Sequence, residues 1–464
     1  MLAAGSAIWF AMKTEGIVVA TDWTAFEEYV LRVMEENYIV GAAVAVAGPK
    51  DVLYAKGFGV KNLETKEPVT PNTIFGCASV SKSFTSMAIA QLADRGLISV
   101  DDPVVDHIPG FRLAGAKDMW EVKMRHILSH TTGLPPMRRR EEITDFQSHI
   151  EYLAGAEYEL LGEPGEYFSY CNDTFLLNGH IIESKTGQLY RRYMTQHILD
   201  AAGMHRSTYN LEELPKIGDL STPYIYNPKT RKHEEQPWPA LGTYEVGGGV
   251  RSCVLDLMKY GQIYLGGGVA ANGVRIVSDD GQRRMWTTPM YRTTRVSDYN
   301  LALVTTKNYA NTGATLVEHS GGQPGVSSNF GFVPEKGITV AALTNVTSVP
   351  AAAIWLAAVN AALGLPLDTM KSVETERVHD TAALSRFEGN YRSDEGGNIT
   401  LALKDGSLVV TLEGMEFPAK ASDERTVFFQ AQGQQQVLRF YFDERKCKDH
   451  PWAVLAHSRM LRRK

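Results

Sequence analysis

Ser79 and Lys82 stand three residues apart in Phe75-Gly-Cys-Ala-Ser79-Val-Ser-Lys82, a spacing that puts both side chains on one face of a helix. A lysine amine can then reach the serine hydroxyl. The start of a helix also offers unpaired N–H groups and a positive dipole end, which favour negative charge on or near the serine. This is the chemistry of an activated nucleophile. The same residues also read as an N-cap and a solvated first-turn lysine, so partners elsewhere must decide. Tyr170-Cys171-Asn172 follows Gly162-Glu-Pro164-Gly165 on a stiffened loop before a helical segment, where a tyrosine can relay protons. Beside a lysine ammonium its pKa should fall. The third element is Glu318-His319-Ser320-Gly321-Gly322-Gln-Pro-Gly325, a Gly-rich strand end able to line a substrate and offer a backbone N–H to an oxyanion. Lys185-Thr186-Gly187 is set aside as a helix end, and Tyr309-Ala-Asn311 as a turn.

The elements that must position these residues are legible in outline. Asp22 to Glu36 carries Phe26, Val30 and Met34 at helical spacing. Gly41 to Ala47 and Asp51 to Gly57 read as paired strands. The segment after Ser79 is dense in apolar residues up to Gly96 and predicts a buried helix. From about 101 to 245 the texture is helical, with a short helix before Gly133-Leu-Pro-Pro136 and a longer one from Asn172 to Ser184. Strand-like runs return at 300–306, 315–320, 328–334 and 338–344, and Pro350 to Leu363 closes with a helix. The expected fold is α/β, an antiparallel sheet flanked by helices with a mostly α-helical insertion. A polar linker is placed at 366–385, and 386–464 reads as a small all-β domain with a hairpin at Asp405-Gly406. Residues 1–22 are an N-terminal extension before a domain spanning 23–365.

Composition excludes several classes. The 464 residues are 44% hydrophobic and 22% charged with a net charge of −6, which describes a globular protein with no electrostatic reason to bind nucleic acid. The basic runs at Arg138-Arg139-Arg140 and Arg462-Arg463-Lys464 read as solvated surface. Four scattered cysteines, Cys77, Cys171, Cys253 and Cys447, predict free thiols, and no ligand spacing suggests a metal. No cofactor is expected. The apolar stretch Met1 to Met12 is too short to span a bilayer and makes a poor signal peptide. A cytoplasmic location follows, or export if that stretch is the remainder of a signal.

With Ser79-Val-Ser-Lys82, Tyr170-Cys-Asn172 and His319-Ser-Gly321 in this order, the chain resembles the serine β-lactamase and penicillin-binding-protein superfamily, in its class C β-lactamase-like branch. Ile127 to Leu134, Gly247 to Ser252 and Gly331 to Glu335 also look like that branch. The resemblance covers roughly residues 23–365. It implies that Ser79 forms an acyl-enzyme while Lys82 and Tyr170 shuttle its proton. It implies an oxyanion hole from the N–H groups of Ser79 and Gly322, with Asn172 holding the substrate amide. His319, Ser320 and Gly321 line the opposite wall. Many members carry a lysine where this chain has His319, and a neutral histidine is a weaker carboxylate anchor. The expectation is therefore an esterase, or a peptidase for short or D-amino-acid-containing peptides, with a β-lactamase as the alternative and a catalytically silent scaffold or binding protein as the reading from another class. The expected partner is a small-molecule or short-peptide substrate, with room for an oligomer. The C-terminal β-domain resembles the barrel-like appendages of some peptidase relatives, there to cap the cleft, to mediate assembly or as a structural addition.

Overall fold

The computed structural model describes residues 22–431 and 434–464. The apolar stretch Met1 to Met12 and nearly all of the N-terminal extension lie outside the described residues. An amphipathic helix α1 (Thr24–Glu36) leads into β1 (Gly41–Ala47) and β2 (Val52–Gly59). The chain returns to the same sheet through β3 (Tyr291–Arg292), β4 (Ser297–Tyr299), β5 (Val304–Tyr309), β6 (Ala314–Gln323), β7 (Val326–Val333) and β8 (Ile338–Thr344). The strand order is β2-β1-β8-β7-β6-β5-β4-β3, so β8 joins the two halves by pairing antiparallel with β1.

Both faces of the central strands are covered, which is why β1 and β8 are buried throughout instead of alternating, β1 being wholly apolar and β8 apolar but for Thr339 and Thr344. Ala42, Val44 and Val46 meet Phe26 and Val30 of α1 and Ile354 and Trp355 of a closing helix at Ala351–Leu363. Ala43, Ala45 and Ala47 point the other way and share a core with Phe84, Met87 and Leu92. Those three belong to α2 (Ser81–Asp94), a helix buried along most of its length. Small side chains on that face of β1 let the helices approach closely.

Between Ala78 and Val80 a single 3₁₀ turn precedes α2, so Ser79 sits at the helix entry. The insertion is mostly helical but also holds a two-stranded hairpin, Tyr224–Asn227 with Lys232–Glu235. The helix expected from Asn172 to Ser184 is two helices, Asn172–Phe175 and Leu177–Thr186. Gly179 N bonds back to Leu176 O at 2.9 Å across the junction, an i→i−3 bond that tightens the turn. Asn300 to Thr306 is also corrected. Ala302 adopts a left-handed φ of 64°, and the strand begins at Val304.

The C-terminal strands β9 (Gly389–Arg392), β10 (Asn398–Lys404), β11 (Ser407–Leu412), β12 (Met415–Asp423), β13 (Thr426–Ala431), β14 (Gln434–Tyr441), β15 (Ala453–Ala456) and β16 (Arg459–Arg463) close into an eight-stranded barrel. Asp405 and Gly406 both take positive φ, the geometry of a tight hairpin turn that suits the strand twist. Leu401, Val410, Val427, Phe429 and Phe440 fill the interior. Arg295 braces this barrel against the sheet through Glu374 at 2.7 Å and through Asp423. Among the described residues no helix is long and apolar enough to cross a membrane, and no cluster of side chains could hold a metal ion.

Candidate active site

Lys82 is not a solvated first-turn residue; its side chain is buried. Its Nζ lies 3.3 Å from Ser79 Oγ, 2.9 Å from Asn172 Oδ1 and 3.0 Å from Gly247 O. Burial first, then the charges of Arg459 and Arg139, hold its pKa well below the usual lysine range. A neutral amine has two N–H groups. The Asn172 amide oxygen and the Gly247 carbonyl are acceptors only, so they take both and leave the nitrogen lone pair for the Ser79 hydroxyl. Ser79 itself is half-buried and can be reached from the cleft. It follows Ala78, whose φ of 46° is unusual for a residue with a side chain and turns the chain sharply into the helix entry.

Tyr170 and Asn172 come to the same place from the insertion. With its Oδ1 bound to Lys82, Asn172 keeps its Nδ2 hydrogens for a substrate carbonyl. The Tyr170 ring centroid is 4.9 Å from Lys82 Nζ, and His130 stacks on the ring at 3.9 Å. The Tyr170 hydroxyl is buried and makes no hydrogen bond. Burial pushes this phenol up, and the smaller pull of the Ser79 hydroxyl opposes it. The lowering expected from a neighbouring ammonium is thus corrected: the same low-dielectric surroundings that lower the pKa of Lys82 raise that of Tyr170.

On the opposite wall, β6 brings His319, Ser320, Gly321 and Gly322 past the nucleophile. Gly321 is required by close approach, since a Cβ there would meet Cys77 O at 2.4 Å and Ser79 N at 3.0 Å. Gly322 follows with open space where a side chain would stand. His319 is buried and its pKa is lowered to about 3 by burial and by Lys82. Its Nδ1 is 2.6 Å from Ser320 O, so Nδ1–H donates to that carbonyl, and Nε2 accepts from the Tyr299 hydroxyl at 3.0 Å. Both ring nitrogens are occupied. Lys185 and Gly187 stand elsewhere, at a helix end where Gly187 adopts a left-handed C-cap.

Four contributors were not singled out from sequence for this site. Gly247 lies in a Gly-rich run noted only as a family-like stretch, Tyr299 orients His319, His130 stacks on Tyr170, and Arg459 reaches the cleft from the barrel. The Arg459 guanidinium lies 4.6 Å from the centroid of the Tyr170 ring. No local pattern around Arg459 announces this, because the contact depends on how the barrel docks. Cys77, Cys171, Cys253 and Cys447 are free thiols, the first three buried, and burial raises Cys77 and Cys171 above the ordinary thiol range. The arrangement can deprotonate a serine at a helix entry, hold a carbonyl beside it and return a proton from a phenol.

The β-lactamase family profile matches residues 26–363. Penicillin-binding protein 4* of Bacillus subtilis (strain 168) is 26% identical over 400 residues, covering 82% of this chain and 85% of that protein. The octameric penicillin-binding protein homologue from Pyrococcus abyssi superposes with a TM-score of 0.70 at 27% identity, covering 95% of this chain and 99% of that one. A β-lactamase/D-alanine carboxypeptidase from Pseudomonas syringae has a TM-score of 0.61 at 17% identity over 74% of this chain and 98% of its own, a likeness of fold alone.

Proposed function

Because the chain belongs to the β-lactamase family, whose members here place it among serine hydrolases, we propose that it hydrolyses esters, or short and D-amino-acid-containing peptides, through an acyl-enzyme on Ser79. The observation that carries this reading is the three-way placement of Lys82 Nζ between Ser79 Oγ, Asn172 Oδ1 and Gly247 O. The neutral amine accepts the Ser79 proton as Oγ attacks the carbonyl carbon. The N–H groups of Ser79 and Gly322 receive the developing oxyanion, and Asn172 Nδ2 holds the carbonyl of the neighbouring substrate amide. Tyr170, kept protonated by burial, gives its proton to the leaving oxygen or nitrogen and regains one from Lys82. Water then attacks the ester on Ser79 by the same steps in reverse.

The preference for esters and peptides over β-lactams rests on His319. A histidine that is neutral and bonded through both nitrogens has no N–H left to receive a β-lactam carboxylate. Rates on p-nitrophenyl esters, D-amino-acid amides and nitrocefin, each with wild type and Ser79→Ala, test the proposal. It expects ester or amide turnover that Ser79→Ala abolishes. Nitrocefin turnover exceeding all the others would overturn the substrate preference, and hydrolysis undiminished in Ser79→Ala would overturn the nucleophile.

A further inference from the structure

The two acceptors of Lys82 Nζ arrive on separate segments of the chain. Gly247 belongs to the short helix Glu245–Gly248, which α2 grips directly. Thr85 donates from Oγ1 to Val246 O at 2.6 Å, and Ser81 Oγ accepts from Val250 N at 2.9 Å. Positions 82 and 85 thus bond two successive carbonyls of one turn, the reach expected of side chains three apart on a helix face. Asn172 is held differently. It opens the helix Asn172–Phe175 in the insertion, and among the described residues its side chain bonds only to Lys82.

The residue after Asn172 supplies the missing tie. Asp173 is buried, and its Oδ1 accepts from the Tyr244 hydroxyl at 2.7 Å. Tyr244 is itself buried and ends the 3₁₀ turn Gly242–Tyr244, which runs straight into the helix carrying Gly247. One hydrogen bond therefore joins the neighbour of Asn172 to the segment of Gly247. The same hydroxyl accepts from Arg140 N at 3.0 Å, and the Arg139 guanidinium lies 4.5 Å from the centroid of the Tyr244 ring. This part of the basic run, read from sequence as solvated surface, packs on the tyrosine. His149 Nε2 lies 3.2 Å from the same Asp173 oxygen without forming a hydrogen bond. Buried away from water, a hydrogen bond to a carboxylate is stronger than one between neutral groups. We propose that Asp173 and Tyr244 are positioning residues for the base: their buried hydrogen bond keeps Asn172 in register with Gly247, so that both acceptors meet the Lys82 amine at once and its lone pair faces Ser79.

These roles rest on the acyl-hydrolase reading above, and both residues act through Asn172 and Gly247 rather than on the substrate. Without the bond the two acceptors shift relative to each other and the amine follows one of them. A misplacement of about 1 Å costs on the order of 10²-fold in rate. The loss falls on kcat, because acylation and deacylation use the same base and slow together. Tyr244→Phe isolates the tie, since it removes the hydroxyl and keeps the ring on which Arg139 stands. An ester such as p-nitrophenyl acetate has no amide for Asn172 to hold, so its KM does not report a shift of that side chain.

The test measures kcat and KM of the full chain on p-nitrophenyl acetate, together with the rate at which a fluorophosphonate labels Ser79. Tyr244→Phe and Asp173→Ala should each lower kcat and the labelling rate by about 10- to 100-fold, with KM within about threefold of wild type. Asp173→Asn keeps an oxygen for the Tyr244 hydroxyl and should recover most of the loss. The double variant, Tyr244→Phe with Asp173→Ala, should be no slower than the slower single variant, because the same bond is lost in each. It also carries the test if Tyr244→Phe, which leaves a buried carboxylate short of its donor, fails to fold. A hydrogen bond that served stability alone would lower the thermal midpoint and leave kcat and labelling of the folded variants within about threefold of wild type; that result, or losses that multiply in the double variant, overturns the tie. The labelling separates the two failures. A wild type that takes no label at Ser79 sinks the acyl-hydrolase reading and the tie with it, whereas a labelled wild type beside a Tyr244→Phe variant labelled equally fast sinks the tie alone.

Discussion

Replacing Gly247 by Ala moves the base without removing any of its hydrogen-bonding partners. A Cβ at position 247 would stand 2.7 Å from Lys82 Nζ and 3.3 Å from Lys82 Cε, whereas non-bonded heavy atoms rest at roughly 3.5 Å or beyond. The amine must retreat by about 0.8 Å to clear the methyl group. The backbone does not resist the change, because Gly247 lies within the short helix Glu245–Gly248 and has no positive φ, and alanine is the better helix former there. A displacement of about 1 Å of a catalytic group costs on the order of 10²-fold in rate, or about 2.7 kcal/mol of barrier. The Gly247→Ala variant should therefore lose about 100-fold in kcat/KM on a p-nitrophenyl ester while its thermal midpoint stays at or above that of wild type. If kcat/KM stays within about twofold of wild type, the position of the Lys82 amine does not limit the reaction and the assignment of Lys82 as base fails.

Tyr170→Phe deletes a buried hydroxyl that has no hydrogen-bond partner, so urea midpoints should hold or rise while kcat/KM falls by about 10²- to 10⁴-fold. Undiminished turnover would remove Tyr170 from the proton path. The pH profile carries a sign. Lys82 must be neutral to act, and burial, Arg459 and Arg139 all lower its pKa, so kcat/KM should fall as pH drops through that depressed value. Arg459→Gln removes one cation and should move the acid limb of kcat/KM to higher pH; a limb that stays in place contradicts the electrostatic coupling. Trp355 is fully buried between sheet and helix and donates from Nε1 to Val340 O at 3.0 Å. Trp355→Ala should cost about 3–5 kcal/mol of unfolding free energy in a urea titration.

What the sequence made legible follows the range of the interaction. Ser79 and Lys82 are near neighbours, so spacing alone puts them on one helical face. The link from Lys82 to Asn172 spans 90 residues; the motif letters put both residues at the site with Asn172 on the substrate amide, and only the packing of the insertion on α2 shows the two side chains bonded to each other. The identity of His319 was readable, but the engagement of both its ring nitrogens was not, because that depends on the Tyr299 hydroxyl and the Ser320 carbonyl. The sign of the Tyr170 shift was misread for a related reason. A lysine is an ammonium in a sequence, and only its burial in the fold draws its pKa down. Arg459 was the least legible of all: it is an ordinary barrel-strand arginine until the hairpin docks on the Tyr170 segment. The helices and strands of the sheet were clearer, since unbroken apolar runs such as Gly41 to Ala47 have few homes other than a strand covered on both faces.

The central claim is that Ser79 becomes covalently acylated with Lys82 as its base. Intact-protein mass spectrometry after brief exposure to a fluorophosphonate, with peptide mapping of the adduct, reads it directly. The account predicts a single adduct on Ser79 in wild type, none in Ser79→Ala and greatly slowed labelling in Lys82→Met. Labelling at another residue, or equal labelling of Ser79 in Lys82→Met, would contradict it.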